Sequence, residues 1–239
     1  MQRAFSLLAG AITPEERTRQ WVGEREGYER FLKNNFPPPA DAKITSVDCD
    51  GVPGQMIAPA KGGAKGATIL HLHGGGYTMG SASGSTRLGA QLAEAIGGEA
   101  LTIDYRLAPE HPYPAALDDC QRAYKWLVKQ TKGEIIVSGE DAGGGLAVAL
   151  MLRLREAGIR LPAALYLISP FADLTISGAS LRTYGPSEPL MTREFVKNLA
   201  GSYVGSSDMK SPFVSPIFAD LRGVSADPYS GGGERSAGR

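Results

Sequence analysis

A chain of 239 residues with 42% apolar residues is long enough for one large α/β domain with a real core. Its 25 Lys and Arg balance 25 Asp and Glu, so composition offers no basic face for nucleic acid and no charge bias toward a membrane surface. Its two cysteines, Cys49 and Cys120, make neither a disulfide framework nor a metal spacing and are expected to be thiols of a cytoplasmic protein.

The first residues, MQRAFSLLAGAI, carry one arginine and a short apolar stretch but no convincing cleavage site, so an amphipathic helix is expected rather than an export signal. No apolar run is long enough to span a bilayer. Helical character extends to about residue 35. Thr13, Pro14, Glu15 and Glu16 give an N-cap, a first-turn proline and two acids. Trp21, Tyr28, Phe31 and Leu32 follow at roughly helical spacing, and Pro37, Pro38 and Pro39 stop the helix. From residue 42 strands and helices alternate. Strands are expected over 43–49, 53–58, 67–72, 99–105, 134–138 and 163–169, and helices over 84–97, 114–130 and 142–157. Apolar runs such as ATILHLH, EIIVSG and AALYLIS suit a mostly parallel, doubly wound sheet covered on both faces. Residues 175–211 break this rhythm, with one helical stretch, TREFVKNLAGSYVG, and are expected to join the N-terminal helices as a cap. The last fifteen residues, SADPYSGGGERSAGR, are nearly devoid of apolar content and are expected to be disordered.

Two stretches carry candidate chemistry, and a third link lies between them. His73, Gly74, Gly75 and Gly76 follow an apolar strand. Consecutive glycines let backbone N–H groups face a cavity unobstructed, as stabilisation of an oxyanion requires. The spacing of a phosphate-binding P-loop is absent. The stretch IIVSGEDAGGGLAVAL (135–150) runs from a strand through glycine into a helix, like the G-x-S-x-G nucleophile turn, with Asp141 where serine would stand. The link DYRLAPEHPYPAALDD contains nothing overtly catalytic, and His111 falls in an expected surface loop. Glu140 and Asp141, being adjacent, diverge too much to share a proton. His71 and His73 lack a third metal ligand and read as core residues. Ser207 and Lys210 match an S-x-x-K spacing by chance, and Asp173 is expected to cap a turn.

HGGGY, DYRLAPEHPYPAALDD, G-E-x-A-G-G, SPFADLT and SPIFADL, in that order over residues 40–222, resemble the bacterial hormone-sensitive-lipase-like carboxylesterases of the α/β-hydrolase superfamily. The resemblance implies an α/β-hydrolase fold with a helical cap, and hydrolysis of short-chain carboxylic esters through an acyl-enzyme, with no metal and no cofactor. It implies an oxyanion hole from the N–H groups of Gly75, Gly76 and Ala142, supported by His73 and Gly74, with Asp141 at the nucleophile position. It divides the chain into a cap segment (1–40), a core (41–174), a second cap segment (175–211), the end of the family-like core (212–224) and a tail (225–239).

The departures matter as much. A carboxylate needs no deprotonation, and enzymes resembling haloalkane dehalogenases and epoxide hydrolases use aspartate nucleophiles, but they also need a downstream histidine. The triad order is nucleophile, acid, histidine. The three histidines here, His71, His73 and His111, all precede Asp141, so the chain holds no triad acid or base of the family kind. The likeness stops after SPIFADLRG. A one-nucleotide shift in the tail, with permitted codons, yields LIPIQVGGSEVLA, which resembles the next strand of family members, so a frameshift near residue 225 and missing last strands and helices are expected. The strand AALYLIS would then be an open edge prone to self-association. The carboxylate of Asp141 is expected to reach the glycine N–H groups and plug the hole. The alternative is a catalytically dead small-ligand-binding protein resembling the plant gibberellin receptors.

Overall fold

Strand TILHL is buried along its whole length, which a strand can be only at the middle of a sheet covered on both faces. The computed structural model, which describes residues 14–59, 67–179, 183 and 191–224, places it there. In chain order the elements are helix α1 (Pro14–Asn35), strands β1 (Lys43–Asp48), β2 (Pro53–Ala58) and β3 (Thr68–Leu72), helix α2 (Thr86–Ala95), strand β4 (Glu99–Ile103), helix α3 (Ala115–Gln130), strand β5 (Ile135–Glu140), helix α4 (Asp141–Glu156), strand β6 (Ala164–Ile168) and helix α5 (Arg193–Val204). A short 3-10 turn follows at Pro216–Phe218. The sheet order is β1-β2-β4-β3-β5-β6. β1 and β2 enter antiparallel, and every pairing from β4 to β6 is parallel. The fold is that of an α/β hydrolase, with β6 as the last strand among the described residues.

Two cores flank the sheet. α2 covers one face through Ala90 and Ala93, which pack on Ile57, Ile69 and Ala100. α3 and α4 cover the other, where Leu70, Leu72, Leu101, Leu117, Tyr124, Val137, Leu146 and Leu150 form one large cluster. α4 is buried on nearly all sides, so its sequence, DAGGGLAVALMLRL, is apolar almost throughout instead of amphipathic.

The expected elements shift in instructive places. The helix expected over 84–97 runs only from Thr86 to Ala95, because Gly97 takes φ +61 and ends it. The strand expected to end at 138 continues to Glu140, and α4 begins at the next residue. No loop separates the two. The helices expected at the N-terminus are described as one helix from Pro14. The tail read as disordered and frameshifted, most of 180–190 and residues 1–13 lie outside the described residues. α1 and α5 meet over the loop after β3, where Trp21, Met79, Phe195 and Leu199 form a third cluster joined by Tyr28.

Candidate active site

Everything at this site follows from how abruptly β5 turns into α4. The turn needs helix and strand backbones to touch. A Cβ on Gly143 would stand 2.0 Å from the Leu72 carbonyl oxygen, and one on Gly139 would stand 2.2 Å from the Gly143 carbonyl oxygen. Only glycine fits at either position. Asp141, at the corner, takes φ +48, a left-handed conformation that aspartate tolerates better than most residues. The corner lifts its side chain out of the sheet toward the loop that follows β3.

That loop is folded to meet it. The Gly75 carbonyl accepts from the N–H groups of Thr78 (3.1 Å) and Met79 (3.0 Å) and from the Thr78 hydroxyl (3.3 Å). Gly75 has φ +115, and a Cβ there would stand 2.4 Å from the Met79 carbonyl oxygen. This turn leaves two N–H groups pointing the same way. Gly75 donates to Asp141 Oδ2 at 3.0 Å and Gly76 donates to the same oxygen at 2.9 Å. The Ala142 N–H, expected as a third donor, makes no bond to this carboxylate among the described residues. Ala142 is fully buried behind it.

His73 and Gly74 stand beneath the loop. His73 Nδ1 lies 2.8 Å from the Gly74 carbonyl oxygen, so Nδ1 is the protonated nitrogen in the neutral ring. The ring stacks on Tyr105 at 4.1 Å, and the Tyr105 hydroxyl donates to the His73 carbonyl (2.7 Å). Burial pushes the His73 pKa down to about 4, with the Gly74 carbonyl bond opposing it. His73 therefore stays neutral and ties down the loop. His71, deeper in β3, faces Ser138 Oγ at 3.2 Å and is pushed down to about 3, first by burial and then by His73. Both are core residues, as expected, and His111 is exposed. Asp173 caps its turn by accepting from the N–H groups of Thr175 (2.9 Å) and Ser177 (3.1 Å).

Glu140, beside Asp141, has its carboxyl pushed up by burial. The Gly74 N–H bond partly offsets this, and the charge of Asp141 adds to it. The residues that sequence reasoning missed come from α1. The Tyr28 phenol is pushed up to about 12, chiefly by burial, then by the charges of Glu140 and Asp141. Arg25 donates from Nε to the Thr78 carbonyl (2.7 Å). The helical spacing of Trp21, Tyr28 and Leu32 was visible in the sequence. That Arg25 shares their face, one turn after Trp21, was the signal available. Among the described residues no three His, Cys, Asp or Glu side chains gather as metal ligands would.

Two backbone donors converging on one oxygen beside a strand-to-helix corner is the geometry that acyl transfer uses to hold a developing oxyanion. Comparison with known proteins bears on the family. Residues 69–227 match the family described as alpha/beta hydrolase fold. The chain is similar to an acetyl-hydrolase of Streptomyces hygroscopicus, with 39% identity over 205 residues, 84% of this chain and 67% of that protein. It is similar to the hormone-sensitive lipase of Mus musculus, with 31% identity over 59% of this chain and 19% of that much longer protein. Among solved structures it resembles EstE7, a homologue of hormone-sensitive lipase from a metagenome library, with 38% identity, a TM-score of 0.79, and coverage of 89% of this chain and 75% of that one. Five motifs in family order, the sheet and these likenesses converge: the chain belongs to the bacterial hormone-sensitive-lipase-like carboxylesterases of the α/β-hydrolase superfamily.

Proposed function

We propose that Gly75, Gly76 and Ala142 are the oxyanion hole of a short-chain carboxylic-ester hydrolase, and that Asp141, at the nucleophile position, closes that hole. The observation that carries this reading is the pair of bonds from Gly75 and Gly76 to Asp141 Oδ2, at 3.0 and 2.9 Å. That oxygen stands where the carbonyl oxygen of an ester would need to be. Bonds from N–H groups to a carboxylate are stronger than those to a neutral carbonyl, so a neutral ester competes poorly for the same donors. Helix α1 and the segment around α5 act as the cap over this position.

A second consideration concerns the general base. A serine at 141 would need a histidine to take its proton, and a carboxylate nucleophile would need one to activate water against its ester intermediate. The 239 residues contain no histidine after Asp141, and His73 is held by Gly74 and Tyr105 with its ring buried. Substrate class follows from the family, and small esters are its natural probe.

The test is hydrolysis of p-nitrophenyl butyrate by the 239-residue chain beside Asp141→Ser. The expected result is no repeated turnover by the parent, and at most residual acceleration by the serine variant from donors and binding alone. Repeated turnover by the parent overturns the proposal. The plug is tested separately with sodium butyrate. Its carboxylate is expected to shift the Gly75 and Gly76 amide resonances of Asp141→Ala but not those of the parent. An unshifted Asp141→Ala contradicts the plug.

A further inference from the structure

Helix α1 does more than lie across the glycine loop. Trp21, Arg25, Tyr28 and Leu32 recur at four, three and four residues and share one face. Each meets the segment 74–84 or what borders it. Trp21 packs with Met79, and Tyr28 joins the same cluster. A Cβ on Gly84 would stand 2.8 Å from Leu32 Cδ1. Glu29, beside this face, accepts from the Ser81 hydroxyl at 2.8 Å.

Arg25 makes the polar connection at the centre. Its Nε donates to the Thr78 carbonyl (2.7 Å) and its Nη2 to the Ala108 carbonyl (2.8 Å). The same guanidinium grips Glu110 with both terminal nitrogens, at 2.9 and 2.6 Å. The two backbone stretches it bridges are themselves joined, since the Ala108 N–H donates to the Tyr77 carbonyl at 2.9 Å. Thr78 is the residue whose N–H and hydroxyl fix the Gly75 carbonyl. The peptide that closes the glycine turn is therefore held from one side by Gly75 and from the other by Arg25.

We propose that Arg25, oriented by Glu110, is the positioning residue of the glycine loop, setting through Thr78 the direction of the Gly75 and Gly76 N–H groups. A guanidinium suits the task because its planar fork offers donors in several fixed directions at once, whereas an ammonium is a point charge. Arg25 does not touch the reacting position. Its effect passes entirely through the backbone of residues 75–78. Calling this segment an oxyanion loop rests on the proposed function, but the geometric claim concerns only where two amides point.

The experiment is residue-resolved amide hydrogen exchange on the full 239-residue chain, comparing the parent with Arg25→Gln, Arg25→Lys and Glu110→Gln. Loss of the fork is expected to speed exchange at Gly75 and Gly76 by about tenfold in Arg25→Gln, while Val137 in β5 exchanges at the parent's rate. Arg25→Lys is expected to recover part of the protection, and Glu110→Gln to lose less than Arg25→Gln. Unchanged exchange at Gly75 and Gly76 overturns the proposal. So does equal acceleration at Gly75, Gly76 and Val137, which marks general destabilisation. Ester turnover plays no part in this readout, so failure here is distinct from failure of the hydrolysis assay.

Discussion

His71 and His73 are 0% and 2% exposed, and among the described residues the Nε2 of each has no hydrogen-bond partner. Neither can be charged in place without stranding a cation in the core. Their folded-state pKa values, pushed down to about 3 and about 4, lie below the ordinary 6.5 that the unfolded chain restores. The unfolded state therefore binds more protons below pH 6.5. The stability these residues allow is fully present above that pH and is lost as the pH falls toward 4. With both contributing, stability falls through this window as each histidine takes up a proton on unfolding. Urea unfolding across pH 4.5–7.5 checks this. His71→Gln is expected to halve the histidine part of the slope, and a variant with the parent's full slope would contradict it. At the same scale Asp141 stands apart, a charged side chain held by backbone donors at a corner where the main chain itself is bent out of its usual range.

The element that creates that corner is α4, and its glycines divide into those that must be glycine and those elsewhere that need not. In Gly143→Ala the new methyl would meet the carbonyl oxygens of Leu72 and His73, at 2.0 and 2.5 Å. Both are backbone atoms that cannot step aside, so a loss of about 3 kcal/mol or more is expected. In α1, a Cβ on Gly23 would meet nothing within 4 Å, so Gly23→Ala is expected to stabilise the protein by about 0.5–1 kcal/mol through helix propensity. Denaturant midpoints of the two variants moving in the same direction would refute this contrast. The same contacts explain what sequence could tell. TILHL and IIVSG were legible as buried strands because composition reports burial on two faces. The corner at Asp141 was legible because its glycines are forced. The α1 contact was not, because Arg25 and Thr78 are 53 residues apart, and in EREGYERF an arginine looks like one more solvated charge. The missing Ala142 bond was equally hidden, since which amide reaches a carboxylate depends on the side chain's direction and not on spacing.

Across the described residues, the sheet runs from β1 at one end to β6 at the other. Among the described residues β6 pairs with β5 alone, carries no charge and no proline, and leaves Tyr166 at 52% exposure. Nothing along it discourages another strand from adding. Ile217, Phe218 and Leu221, also exposed, follow β6 in a segment tied to the loop after it through the Ile217 N–H and the Ala172 carbonyl (3.1 Å). The chain is expected to self-associate as concentration rises, and Tyr166→Lys to suppress this without altering the fold. Sedimentation velocity on both proteins decides the matter, and a parent that stays monomeric would refute it. The opposite feature, β3 seated between β4 and β5, has its own consequence for the order of events during synthesis. Gly75 is made 66 residues before the carboxylate it binds, and α2, β4, α3 and β5 emerge in the interval. Until β5 inserts beside β3 and α4 docks behind it, the two amides have only water for company, so a loop-closure cost is met before any bond forms there. The pairing of Gly75 and Gly76 with Asp141 thus requires β5 and α4 to be docked beside β3, and the two amide resonances would mark that step of assembly.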